Sequence, residues 1–107
     1  MKQQYNTLVR DKIPEIIEKT GRHPEIRILE NDEEMKHALI NKLSEKARTF
    51  AEKQTEDELS DLLSVVDAIV DIYDFEPMHM DYIKMQNNEQ KGRYTSRVFL
   101  EAVTSDE

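Results

Sequence analysis

The chain has 107 residues, 37% of them apolar, which is enough for one compact core, so a single domain over residues 1–107 is expected. Two glycines and three prolines argue against a turn-rich sandwich or barrel and rule out a dinucleotide-binding glycine fingerprint or a Walker-type loop; the lack of cysteine excludes disulfides, thiolate zinc sites and a cysteine nucleophile. Fifteen basic against 23 acidic residues give a net charge of −8, which repels a nucleic-acid backbone, so direct nucleic-acid binding is not expected.

A metal-using hydrolase, an interaction domain and an acidic mimic of nucleic acid all remain compatible with this balance. No stretch approaches the ~18 apolar residues of a membrane-crossing helix, and the opening MKQQYNTLVRDK lacks an apolar signal core. The expectation is a cytoplasmic protein with no membrane partner.

In chain order, YNTLVRDKIPEIIEKTG reads as a short extended piece and then a short helix, with Asp11 as its cap, Pro14 in its first turn and Gly21 as its stop. In HPEIRILEN, Ile26, Arg27 and Ile28 alternate like a short strand, or the segment is an extended arm. From Asp32 to about Lys53 the pattern is helical, with Met35, Leu39, Leu43, Ala47 and Phe50 on one stripe. Thr55 then opens a second long helix, TEDELSDLLSVVDAIVDIYD, with Thr55 and Glu58 spaced as a capping box. Its polar residues Ser60, Ser64, Asp67, Asp71 and Asp74 make one narrow wet stripe on an otherwise apolar rod.

Such a rod needs neighbours on more than one side, which two long helices cannot supply. The expected architecture is therefore all-α: an antiparallel helical hairpin that forms a four-helix bundle by homo-oligomerisation. A third helix is expected from Met78 to about Gln90. RVFLEAV follows as a short strand or arm, so that extended arms flank the hairpin at both ends, and the final TSDE is expected to be frayed.

Residues advance about 100° each around a helix. On the second long helix this puts Glu58 in line with Leu62, Val65 and Ile69, in the middle of the apolar arc, with Asp61 at its edge. A carboxylate on a buried face must be paired, hydrogen-bonded, metal-bound or neutralised. On the preceding helix Lys46 falls on the apolar stripe beside Leu39 and Phe50, Thr49 lies at its edge, and Glu45 points further out. A short connection near Gln54 brings Lys46 and Thr49 beside Glu58 and Asp61.

Plainer readings stand beside this one. Glu58 is then the capping-box partner of Thr55, Lys46 snorkels past Phe50 to water, and Asp61 is a boundary residue. His23, His37 and His79 show no metal-ligand spacing, and Ser44, Ser60 and Ser64 have no nucleophile-elbow context. Lys84, Lys91, Arg93 and Arg97 form a sparse basic zone that either meets phosphates or is a solvated or intersubunit face.

The opening YNTLVRDKIPEII, the helices KLSEKARTFAE and DELSDLLSVVDAI, and the tail GRYTSRVFL resemble the MazG-like all-α nucleoside triphosphate pyrophosphohydrolases, in particular their small phosphoribosyl-ATP pyrophosphohydrolase-like members. The resemblance implies a helical, oligomeric, Mg²⁺-dependent enzyme that converts a nucleoside triphosphate substrate to monophosphate and pyrophosphate as house-cleaning. The family's metal site combines a Glu-Glu-x-x-Glu segment with a Glu-x-x-Asp segment. The second is intact as Glu58-Leu59-Ser60-Asp61; the first aligns with Glu45-Lys46-Ala47-Arg48-Thr49 and is altered at Lys46 and Thr49.

By resemblance Glu58 and Asp61 hold the metal, Glu45 orients or deprotonates the attacking water, and Lys91 and Arg93 neutralise phosphate charge. The altered positions point to a further possibility, in which Lys46 takes the place of the ion and pairs with both Glu58 and Asp61. The expected function is thus a nucleotide pyrophosphohydrolase with an altered metal site. The alternatives are a non-catalytic member that binds a nucleotide or protein, and an acidic nucleic-acid-mimicking interaction protein.

Overall fold

The structure, a computed structural model, describes residues 2–105. Among the described residues the regular structure is entirely helical: α1 (Ile13–Lys19), α2 (Asp32–Lys53), α3 (Glu56–Ile72) and α4 (Pro77–Lys91). None is long and apolar enough to cross a membrane. The chain divides into two compact units, residues 1–75 and residues 76–107.

In the first unit, α2 and α3 pack together as a helical hairpin. Asn31 caps α2 by accepting from the Glu34 N–H at 2.9 Å. Asp32, Glu33 and Glu34 in the first turn and Lys53 in the last complement the helix dipole. Gln54 then enters the left-handed region (φ 53°) while its N–H still bonds Phe50 O at 2.7 Å, and the Thr55 hydroxyl caps α3 by accepting from Glu58 N–H at 3.2 Å. Only Gln54 and Thr55 separate the two helices, so the chain must reverse at once. At the far end of α3, Phe75 N–H reaches Val70 O and Asp74 N–H reaches Asp71 O, with Asp74 at φ 55°. This is a Schellman closure with aspartate in the place glycine usually takes.

Helix α1 starts one residue later than the expected cap: Lys12, not Asp11, is at the N-cap and makes no side-chain bond. Pro14 lies in the first turn, and Gly21 (φ 85°) closes the end by donating to Glu18 O. Residues 22–30 form no strand; Ile26 and Ile28, which the alternation paired, are both exposed, and Leu29 is half-buried instead. With no neighbouring strand to complete a ladder, alternation alone does not make a sheet.

The core of this unit is thin. Leu39, at 3% exposure, is the one buried apolar residue among those described. Met35, Leu43 and Phe50 are half-buried along the same stripe, whereas Ala47 is exposed and Lys46 occupies the half-buried position beside it. The Lys36 ammonium sits 4.8 Å from the Tyr73 ring, which stacks on Phe75.

In the second unit, Pro77 opens α4 and Gly92 (φ 85°) ends it, its N–H bonding Asn88 O. Residues 93–105 carry no helix or strand, and Tyr94, Val98, Phe99, Leu100 and Val103 are exposed. The expected fraying concerns Thr104 and Ser105, which have no regular structure, and residues 106 and 107, which lie outside the described residues.

Candidate functional site

In an antiparallel hairpin, positions at similar distances from the turn face each other. Lys53, just before the connection, therefore meets Glu58 just after it, and Lys46, two turns further back, meets Asp61. The distances are 3.5 Å from Lys53 Nζ to Glu58 Oε1 and 3.7 Å from Lys46 Nζ to Asp61 Oδ2. Asp61 has a second cation: Arg10, from the segment preceding α1, donates from Nη2 to Asp61 Oδ1 at 3.0 Å. Each carboxylate oxygen thus faces its own positive charge.

The expected pairing of Lys46 with both carboxylates is corrected to Asp61 alone. Glu58, with an 18% exposed side chain, is held by Lys53. Its backbone N–H completes the Thr55 cap, so the capping half of the plainer reading holds, while its carboxylate turns to Lys53. The Thr49 hydroxyl does not reach across the hairpin but donates back to Glu45 O at 3.0 Å, a bond available to any helical threonine.

Glu45 belongs to a separate cluster. Lys42 Nζ lies 2.9 Å from Glu45 Oε2 and donates to Thr7 Oγ1 at 2.7 Å; the Thr7 hydroxyl in turn donates to Glu45 Oε2 at 3.4 Å. The Lys42 hydrogen bond outweighs the opposing cost of burial and, with the charge of Lys42, the Thr7 hydrogen bond and the charge of Lys46, holds the Glu45 carboxyl below its ordinary value of 4.5. Lys42 itself is only 12% exposed, its stem lying along α2 and its ammonium satisfied by the cluster.

Three candidate carboxylates are therefore divided among four cations: Lys42 on Glu45, Lys53 on Glu58, and Lys46 with Arg10 on Asp61. Mg²⁺ needs several oxygen ligands converging in near-octahedral geometry, and an ammonium has no lone pair to offer one. Among the described residues no three His, Asp or Glu side chains come together as a metal-holding group. The side chains as placed do not fit the ion that the resemblance implies.

No family model, curated protein or solved structure matches this chain. The reading of the site accordingly rests on its own residues.

Lys91 is the last residue of α4 and Arg93 follows Gly92; both are exposed, within the second unit. Lys84 pairs with Asp81 at 3.4 Å. His23, His37 and His79 are exposed, His79 stacking on Tyr82.

Arg10, Thr7, Lys42 and Lys53 are the participants that sequence reasoning missed. Lys42 and Glu45 are one turn apart, and Lys53 and Glu58 straddle a short connection, so both pairs carried a local signal. Arg10 carried none, being 51 residues from Asp61.

Proposed function

We propose that the protein is a cytoplasmic, homo-oligomeric helical scaffold of the MazG-like kind that binds a nucleotide without hydrolysing it, its own cations standing where that group holds Mg²⁺. The observation that carries this reading is Asp61, with one oxygen 3.0 Å from Arg10 and the other 3.7 Å from Lys46. The retained Glu58-x-x-Asp61 spacing and the altered Lys46 and Thr49 are then parts of one change. A carboxylate pair that the resembled group neutralises with a bound ion is neutralised here by lysine and arginine.

The oligomeric part of the reading is supported by the incomplete core. Leu59 and Leu63, one turn apart on α3, are 43% and 55% exposed, and Ile40 on α2 is exposed as well. A second hairpin laid on that face of α3 would bury Leu59 and Leu63 at ~25 cal/mol for each Å² removed from water.

A second reading, hydrolysis of a nucleoside triphosphate to monophosphate and pyrophosphate, is favoured by one feature. The ion pairs on Asp61 are partly exposed, at 62% for Arg10, 40% for Asp61 and 27% for Lys46, so water competes for them.

Pyrophosphate release from a panel of nucleoside triphosphates, with Mg²⁺ or Mn²⁺ present, separates the two. The proposal expects nucleotide binding by calorimetry and no release above the uncatalysed rate. Multiple-turnover release that Asp61→Asn abolishes would overturn it and establish the second reading.

A further inference from the structure

Charge is distributed unevenly along this chain. From Gln54 to Ile83 there are nine carboxylates and no lysine or arginine, whereas residues 90–100 hold Lys91, Arg93 and Arg97 and no carboxylate. On α3, Glu58 and Asp61 have cations of their own. Asp67, Asp71 and Asp74 make no ion pair among the described residues; Lys36, over the Tyr73 ring, pairs with Glu33. These three acids crowd towards the end of a helix whose last turn has no basic residue, where the helix dipole already disfavours negative charge. Leu59, Leu63, Asp67 and Asp71 follow one another at intervals of four. They form one exposed ridge along α3, apolar at its start and acidic at its end.

The second unit carries the complementary order. Its one helix, α4, has no buried residue, and the segment after Gly92 has no helix or strand. A turn at residues 94–96 and Arg97 at φ 59° lead into an irregular arm, in which Val98, Phe99, Leu100 and Val103 are 76–87% exposed. Tyr94 and Phe99 alone, at roughly 150–250 Å² each, reach the ~300–600 Å² of the largest apolar patch on a typical monomer. With the three aliphatic side chains added they exceed it, which marks an association surface.

We propose that residues 93–103 of one copy lie along α3 of a second copy, antiparallel to it, with Arg97 at Asp67 and Asp71 and with Phe99, Leu100 and Val103 on Leu63 and Leu59. The lengths agree: Leu59 to Asp71 is about 18 Å along a helix, and Val103 to Arg97 is about 20 Å in an extended chain. The reverse direction would set Arg97 on leucine and press the apolar run against unpaired carboxylates, which costs their hydration. Residues 1–75 hold 11 basic and 17 acidic residues, so two hairpins repel each other, and the basic arm offsets that repulsion where they meet.

This inference rests on the oligomeric part of the proposed function and needs neither nucleotide nor metal. A second hairpin covers Leu59 and Leu63 from one side; the arm extends the contact along the ridge to the carboxylates that apolar packing would strand. The chain has no cysteine, so Ser96→Cys gives a single site for a nitroxide beside Arg97. Full-length chain carrying the nitroxide is mixed with isotope-labelled chain lacking it, and the broadening of amide signals is read by two-dimensional NMR. Sedimentation equilibrium gives the dissociation constant of the wild type, Arg97→Glu, Asp71→Lys, the combined variant and Phe99→Ser. Arg97, Asp71 and Phe99 are all exposed, so the folded spectrum is retained in each.

Broadening is expected at residues 63–74 of the copy that lacks the nitroxide. Arg97→Glu and Asp71→Lys each raise the dissociation constant about fivefold or more, and the combined variant returns to within about twofold of the wild type, because the exchanged charges attract again. Phe99→Ser raises it about tenfold or more through lost apolar burial. Broadening confined to samples with nitroxide and isotope in the same chain would place the arm on its own hairpin and overturn the exchange between copies. Association without broadening on α3, or a combined variant no tighter than either single one, would overturn the arm and leave the oligomeric reading standing. A chain that stays monomeric at millimolar concentration would overturn both.

Discussion

Arg10 and Lys46 approach Asp61 from different parts of the chain, one from the segment before α1 and one from the facing helix, and each takes one carboxylate oxygen. Because all three side chains are partly exposed, their attraction is screened, and Asp61→Asn is expected to lower stability by about 1 kcal/mol or less in urea unfolding. Adding Arg10→Gln to that variant then costs less than it does alone, since its partner is already gone. Glu45 makes a prediction in pH. Its carboxyl titrates below 4.5 in the folded chain, mainly through the Lys42 hydrogen bond, so its stabilisation is present above 4.5 and is lost as pH falls through the lower, folded value. Acid unfolding followed by urea midpoints should therefore show a shallower acid limb in Glu45→Gln; an unchanged limb would contradict the cluster. At this scale the sequence was partly legible. Helical geometry alone placed Lys46 near Asp61, because both positions follow from the period of two regular helices. It could not place Arg10, which lies in an irregular segment with no period to extend.

The two long helices were legible nearly to the residue because of their period, Thr55 as a cap and the connection near Gln54; Asn31, which caps α2, reads in sequence as part of the preceding arm. Two substitutions at this reversal should act in opposite directions. Thr55→Ala removes the oxygen that accepts from Glu58 N–H and is expected to cost about 1 kcal/mol. Gln54→Gly removes a side chain from the left-handed region and is expected to add roughly 0.5–1 kcal/mol, visible as a raised melting temperature. If both destabilise, the left-handed closure is not how α2 ends. Of the two readings of residues 22–30, the strand fails and the irregular arm stands, because Ile26 and Ile28 alternate without a second strand to pair with. Ala47, expected on the apolar stripe of α2, is exposed: it lies about 80° round the helix from Leu39, whereas Lys46 lies close to Leu39's line and is half-buried as expected.

Over the molecule as a whole, the described apolar side chains outnumber the places available to bury them within one chain: Leu39 is buried while Leu59 and Leu63 remain exposed on a helix that already packs against α2. The proposed association uses that face, so Leu63→Lys should yield a monomer by sedimentation at concentrations where the wild type associates, without loss of helix content. A wild type that is itself monomeric would remove the bundle from the account. All-helical architecture and the hairpin could be read from the sequence, since both follow from periodicity and a short connection. The division of the carboxylates among separate cations could not, because which lysine reaches which acid depends on the exact register of α2 against α3.

The central claim is that lysine and arginine, not a divalent ion, neutralise Asp61 and Glu58. The measurement that tests it most directly is unfolding stability with and without Mg²⁺ in the wild type and in Lys46→Glu/Thr49→Glu. An ion that binds only the native state at one hundred times its dissociation constant raises stability by about 2.7 kcal/mol. No Mg²⁺-dependent gain is predicted in the wild type and a clear gain in the double variant, where two carboxylates on α2 replace the Lys46 ammonium that faces Asp61 and the Thr49 hydroxyl one turn away. A wild type stabilised by Mg²⁺, with the gain lost in Asp61→Asn, would contradict it.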